Sequence, residues 1–229
     1  MKCQLGFIDL ILTRSDGTAS MSDIRQVHAF LPQHGADGVR ETDRLDSATL
    51  TLDDILNPQA YIKVGFSLDS RSGLGAFEPY FLTLFRLLLD NQPIQQILTH
   101  PEVARRCKAL DNNNAHLLDA LRAHSEIRQN VVITDFRDLD KVPVGNRFLV
   151  FAAFPQINVA ARIQWGPNRD FMVVTLGHSI VNRTCRTNVG ELAARFGGGG
   201  HQGAASIKLA GEDADERLEL ICEELVANG

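Results

Sequence analysis

The stretch of sequence that decides the fold is Phe196-Gly197-Gly198-Gly199-Gly200-His201-Gln202-Gly203-Ala204-Ala205-Ser206. Each glycine loses more backbone entropy on folding than any other residue, so a run of four is expected only where φ must be positive or a ligand must touch the main chain. Exposed backbone N–H groups of such a run can converge on phosphate oxygens. We therefore predict a phosphate-binding loop in which Gly198, Gly199 and Gly200 supply N–H donors and His201 adds a side-chain hydrogen bond.

The flanks of this stretch indicate ordered structure on both sides. Asn188 and Glu191 have the spacing of a helix capping box. The residues that follow have the apolar spacing of a short amphipathic helix that ends at Gly197, a natural C-cap (Val189, Leu192, Ala193 and Phe196). The alternating residues 206–209 predict a strand after the loop. A flexible linker is the alternative interpretation of the glycines.

This stretch resembles the GGGHxxAA(G) signature of the DHH-associated C-terminal domain, through Gly198-Gly199-Gly200-His201 and Ala204-Ala205. The resemblance extends to residues 145–148, 177–180 and 182–184, and Ser206 stands where many members have another small residue, glycine. DHH phosphoesterases such as the nanoRNase/pAp phosphatases carry this domain, and the chain is most similar to their exopolyphosphatase-related branch. The resemblance implies that this domain grips the phosphates of the substrate.

The resemblance also implies further phosphate ligands. If the sheet closes as it does in the family, His178, Arg183 and Arg186 lie near the glycine run. Arginine offers a planar fork that binds phosphate through two hydrogen bonds. The alternative for both arginines is a surface ion pair.

The N-terminal part departs from the family pattern. Full DHH phosphoesterases hold a two-metal centre, usually of manganese, with Asp and His ligands that include an Asp-His-His triplet, and this sequence has no such triplet. Residues 13–17 resemble the opening motif faintly, and chance is the alternative. Residues 44–48 resemble the last metal-binding motif, which assigns Asp46 as a metal ligand; the alternative is a helix N-cap or a plain surface residue. One carboxylate cannot hold two divalent cations, so we assign no catalytic residue and expect most of the centre to be missing.

Composition limits the other classes of function. The 229 residues, 44% of them hydrophobic, suffice for one large or two modest domains. A net charge of -5 argues that polyanion binding must come from a local basic pocket. The four cysteines lack metal-ligand spacing, which suits free thiols in a reducing cytosol. We find no signal peptide and no membrane helix, and we expect a cytoplasmic protein without a membrane partner.

The order of predicted elements indicates an α/β chain in two parts. Residues 1–128 are interpreted as an incomplete DHH-type helical lobe with its linker, and residues 129–229 as a DHH-associated substrate-binding domain with a mixed sheet flanked by helices. The predicted helices and strands are helix 77–90, helix 101–127, strand 131–133, helix 146–154, strand 159–165, strand 171–176 and helix 214–226.

Two hypotheses about function remain open. The first is a manganese-dependent hydrolase that acts on short oligonucleotides, pAp or polyphosphate, completed by unrecognised ligands or by a second chain. The second is a non-catalytic protein that binds a phosphorylated small molecule or short single-stranded nucleic acid. Homodimerisation is compatible with either hypothesis.

Overall fold

The computed structural model describes residues 35–68, 74–90 and 92–227. The faint motif at residues 13–17 lies outside the described residues. The chain divides into two compact units, one ending at Asn112 and the other beginning at Asn113. No helix of the described part has the length and apolar character needed to cross a bilayer.

The first unit is helical where it is described. Its helices are α1 (Gly35–Asp46), α2 (Leu52–Leu56), α3 (Ala60–Ser67), α4 (Phe77–Leu89), α5 (Ile94–Thr99) and the first part of α6 (Pro101–Ala123). Two glycines allow α1 and α3 to pack closely. A Cβ on Gly38 would lie 3.1 Å from the Tyr61 ring, and a Cβ on Gly65 would collide with the Leu45 side chain.

A buried polar cluster ties α3, α4 and α6 together. Tyr80 is fully buried, and its hydroxyl lies 2.6 Å from the Ser67 hydroxyl. The guanidinium of Arg106, also buried, stacks 4.2 Å from the centre of the Tyr80 ring. Burial raises the pKa of Tyr80 to about 12, so the phenol is neutral at physiological pH.

The second unit is built on a six-stranded mixed sheet. Its strands are β1 (Ser125–Arg128), β2 (Val131–Asp135), β3 (Val159–Trp165), β4 (Met172–His178), β5 (Gly199–His201) and β6 (Ala204–Leu209), in the order β1-β2-β3-β4-β6-β5. Only β2 and β3 are parallel, and every other neighbouring pair is antiparallel. The helices are α7 (Leu149–Ala153), α8 (Val189–Arg195) and α9 (Ala214–Ala227). The predicted fold class is therefore confirmed.

The core of this unit lies between the sheet and helices α8 and α9. Alternate residues of β3, β4 and β6 are buried and meet the apolar faces of the two helices. The largest fully buried members are Ile163, Met172, Leu176, Leu192, Ile207 and Leu209. This packing fixes the end of β4, the start of α8 and the β5–β6 turn, from which the candidate site is built.

The structure corrects two element boundaries. The helix predicted to reach residue 127 ends at Ala123, because residues 125–128 pair with β2 as the edge strand β1. The helix predicted from Asn146 begins only at Leu149, because the Asn146 side chain accepts a hydrogen bond from the Phe148 N–H. The domain boundary predicted between residues 128 and 129 falls in the turn of the β1–β2 hairpin, and as a functional division it stays a prediction.

Candidate phosphate-binding site

Half of the glycine run, Gly199 and Gly200, lies in a strand rather than in the predicted loop. Gly199 to His201 make up β5, which pairs with β6 at the edge of the sheet, with Gly199 opposite Ser206 and His201 opposite Ala204. Residues 202 and 203 form the turn of this hairpin. The sequence suggested an irregular loop because glycine disfavours strands, but the pairing with the small residues of β6 overrides that preference.

Close packing explains two of the four glycines. A Cβ on Gly200 would lie 2.5 Å from Ala205 Cα, and a Cβ on Gly198 would lie 2.9 Å from Ile207 Cα. Such separations are shorter than real Cβ contacts, so neither position accepts a side chain without a backbone shift. On the other side of the hairpin, a Cβ on Gly190 of α8 would lie 3.0 Å from the His201 carbonyl group. Gly199 differs, because a Cβ there would meet nothing within 4 Å.

The end of α8 uses the backbone donors next to β5. Gly197 has φ +77° and caps the helix as predicted. Its N–H donates to the Ala194 carbonyl at 3.2 Å, and the Gly198 N–H donates to the Ala193 carbonyl at 2.8 Å. The Gly198 N–H is therefore already occupied and is a poor candidate for the predicted phosphate contact. The role predicted for the Gly199 and Gly200 N–H groups stays a prediction.

Two histidines converge on Gly203 in the hairpin turn. A Cβ added to Gly203 would lie 3.8 Å from His178 Nδ1 and 4.0 Å from His201 Cε1. The backbone N–H of His178 also donates to the backbone carbonyl of Gly203 at 2.9 Å, and this bond joins the end of β4 to the turn. The missing side chain of Gly203 thus leaves a space between two imidazoles. We call His178, His201 and Gly203 the histidine niche.

The hydrogen bonds of the niche indicate where each imidazole carries its proton. His178 Nε2 lies 2.8 Å from the Thr187 carbonyl oxygen, which can only accept, so Nε2 is the donor and Nδ1 faces the niche. His201 Nδ1 accepts from the Gly203 N–H at 3.3 Å, which leaves the proton on Nε2. Because His201 is exposed, this Nε2–H is a donor available to a ligand.

A chain of polar side chains holds the segment between β4 and α8. The buried Ser179 hydroxyl accepts from the backbone N–H of Val181 and Asn182. Asn182 also donates to the Gln156 carbonyl, and its side-chain oxygen accepts from Thr184. These bonds fix the segment that supplies the Thr187 carbonyl to His178.

This chain continues into the sheet through two asparagines. Asn158 donates to the Thr184 hydroxyl at 3.2 Å, and Asn130 donates to the Asn158 side chain at 3.0 Å and to the Leu225 carbonyl at 3.1 Å. Asn158 is buried, so its side chain relies on these partners. The segment that presents His178 and the start of α8 is therefore anchored to the sheet and to α9.

The two predicted arginines lie on this same segment but in different surroundings. Arg183 is exposed, and its Nε donates to the Ile180 carbonyl at 3.1 Å. Arg186 lines an open cavity of about 850 Å³ beside α8, together with Glu191 and Arg195. The structure brings His178 and His201 together at Gly203, and it places Arg186 in the neighbouring cavity rather than in the niche.

Asp46, the predicted metal ligand, is the last residue of α1 and is exposed. In residues 35–68, 74–90 and 92–227, no three His, Cys, Asp or Glu side chains lie close enough together to hold a metal ion. The described residues therefore do not fit a two-metal centre. The thiols of Cys107, Cys185 and Cys222 are free.

Several residues that shape the site had no individual signal in the sequence. Gly203 belongs to the glycine-rich stretch 196–206, but its position between the two histidines depends on the approach of His178 from another strand. Thr187 contributes its backbone carbonyl, which accepts from His178, and Asn158 contributes its buried side-chain amide, which donates to Thr184. The partner of Asn158 is distant in sequence. The sequence of Gly177, His178 and Ser179 at the end of a predicted strand was the only sign of these contacts.

Several solved structures of known proteins are similar to this chain. A pGpG-specific phosphodiesterase from Vibrio cholerae is 31% identical in sequence, with a TM-score of 0.78, over 83% of this chain and 66% of that protein. An exopolyphosphatase-related protein from Bacteroides fragilis has 14% identity and a TM-score of 0.43, over 67% of this chain and 45% of that one. A DHH domain from the S1p family of ribosomal proteins has 14% identity and a TM-score of 0.47, over 88% of this chain and 50% of that one.

No protein-family model matches the sequence, and neither does any curated protein. The similarity to the phosphodiesterase nevertheless extends across both compact units of the chain, since it covers 83% of the residues. The chain is related to the DHH-family phosphoesterases. It spans 66% of the length of that phosphodiesterase.

Proposed function

We propose that this chain binds short phosphorylated oligonucleotides, with a dinucleotide such as pGpG as the best candidate, and that the histidine niche holds the terminal phosphate. The observation that carries the proposal is the convergence of His178 and His201 on Gly203, a residue without a side chain. The similarity to a pGpG-specific phosphodiesterase supports the class of ligand.

The chemistry of the niche suits a terminal phosphate better than a bridging one. A phosphate monoester carries about -1.5 to -2 charges at neutral pH and three strong acceptor oxygens. The His201 Nε2–H can donate to one of these oxygens, and His178 Nδ1 can donate as well when that imidazole is protonated. A bridging diester has one charge and fewer free oxygens, so it gains less from the same donors.

Binding is tested by calorimetric titration of pGpG into the wild-type protein and into His201→Ala. His201 is exposed, so the variant should remain folded, which circular dichroism can verify. Loss of one hydrogen bond to a phosphate should weaken binding by about 1.5 to 3 kcal/mol. The exposed His116 on α6 provides a matched control, because His116→Ala should bind as the wild type does. Equal affinities of wild type and His201→Ala would contradict the proposal.

Hydrolysis is a separate question and needs its own experiment. In the family, manganese activates the water that attacks the phosphodiester. Purified protein should be assayed for metal content and for turnover of pGpG with added Mn²⁺, beside Asp46→Ala. Turnover that is lost in Asp46→Ala would support the hydrolase hypothesis, whereas binding without metal or turnover would support the non-catalytic one.

A further inference from the structure

The cavity beside α8 carries two unpaired side chains of opposite charge. It is lined by Arg186, Glu191 and the Arg195–Glu224 ion pair, with apolar surface from Ala194 and Ala227. In the described part of the protein, neither the Arg186 guanidinium nor the Glu191 carboxylate makes an ion pair or a side-chain hydrogen bond. Its volume of about 850 Å³ is in the range typical of small-molecule sites.

The cavity and the histidine niche share a segment of the chain. Thr187 is one of the residues that line the cavity, and its carbonyl oxygen accepts the hydrogen bond from His178 Nε2. The Val189 N–H at the start of α8 donates to the Gln202 carbonyl in the β5–β6 turn at 3.1 Å. The segment from Thr187 to the start of α8 therefore borders both the niche and the cavity.

We propose that this cavity binds a guanine base, an inference that rests on the proposed function of the niche. Guanine presents the acceptors O6 and N7, which match the donor-only fork of an arginine, here Arg186. It also presents N–H donors at N1 and N2, which match the acceptor-only carboxylate of Glu191. Adenine has an acceptor at N1 and lacks the 2-amino group, so it offers Glu191 no N–H donor on this edge of the base.

The test compares pGpG with pApA in calorimetric titrations. The two ligands carry the same phosphates, so a difference in their affinities reports base recognition alone. The wild type should bind pGpG about tenfold or more tightly than pApA. Arg186→Ala and Glu191→Gln should reduce that ratio to near one while still binding both dinucleotides through the niche.

Two charge-matched controls lie outside the cavity. Arg169→Ala changes an exposed arginine in the turn between β3 and β4, and Glu212→Gln changes an exposed glutamate after β6; both should keep the full preference for pGpG. A wild type that binds both dinucleotides equally, or cavity variants that keep the preference, would overturn the guanine site and leave the niche standing. A wild type that binds neither dinucleotide would overturn the proposed function and the guanine site with it.

Discussion

Two classes of glycine in the β5–β6 hairpin differ in what surrounds them. Gly198 and Gly200 face backbone atoms of β6, where a side chain would overlap with the neighbouring strand. Gly199 and Gly203 face space that a side chain could occupy, and at Gly203 that space lies between two histidines. The comparison teaches that glycines of one hairpin can stand in different surroundings, and that only the contacts of each position show where packing excludes a side chain.

The largest effect is expected where packing requires glycine. In Gly200→Val the new side chain would overlap with Ala205 and separate β5 from β6. Such overpacking should lower the free energy of unfolding by about 3 kcal/mol. Urea denaturation measures the change. Gly199→Ala is the matched control in the same strand, with an expected change within about 1 kcal/mol. Equal stability of the two variants would remove the distinction between the two classes.

The next effect concerns ligand binding without a loss of stability. In Gly203→Ala the new methyl group would lie 3.8 Å from His178 Nδ1, an ordinary van der Waals contact, so the hairpin should remain folded. The methyl group would nevertheless occupy space in the niche where a phosphate oxygen must approach an imidazole nitrogen to about 3 Å. We expect pGpG to bind about tenfold more weakly, measured by calorimetry. Wild-type affinity in this variant would show that the ligand does not enter the niche.

A smaller effect is the dependence of binding on salt. The protein has a net charge of -5, and the niche offers only a few donors, so counterion release should be limited. The logarithm of the affinity for pGpG should fall with the logarithm of salt concentration with a slope of about -1 to -2. A much steeper slope would indicate an extended basic surface rather than a local site.

The sequence predicted the parts of the fold that depend on local signals. Asn188 and Gly197 were expected to bound a helix, and α8 lies between them with Asn188 as its side-chain cap. The apolar periodicity of the last helix and the alternation of β3 also appear in the structure. These features could be predicted because capping and amphipathic packing involve residues only a few positions apart.

Features that depend on contacts between distant segments could not be predicted in the same way. The glycine run is an exception, because β6 follows it directly in the chain, and it was expected to be a loop because glycine disfavours strands. Nothing near Thr187 in the sequence indicates that its carbonyl holds His178 or that its hydroxyl lacks a partner. Asp46 is a similar case, because one carboxylate can bind a metal ion only when other segments of the chain supply further ligands beside it.

The central claim, that the histidine niche holds a terminal phosphate, is tested most directly with two ligands that differ only in that group. The affinities of pGpG and GpG should be measured by calorimetry for the wild type and for the double variant His178→Ala/His201→Ala, after circular dichroism has verified folding. The account predicts that the wild type binds pGpG at least tenfold more tightly than GpG and that the double variant binds them almost equally. A double variant that is folded and keeps the full preference for pGpG would contradict it.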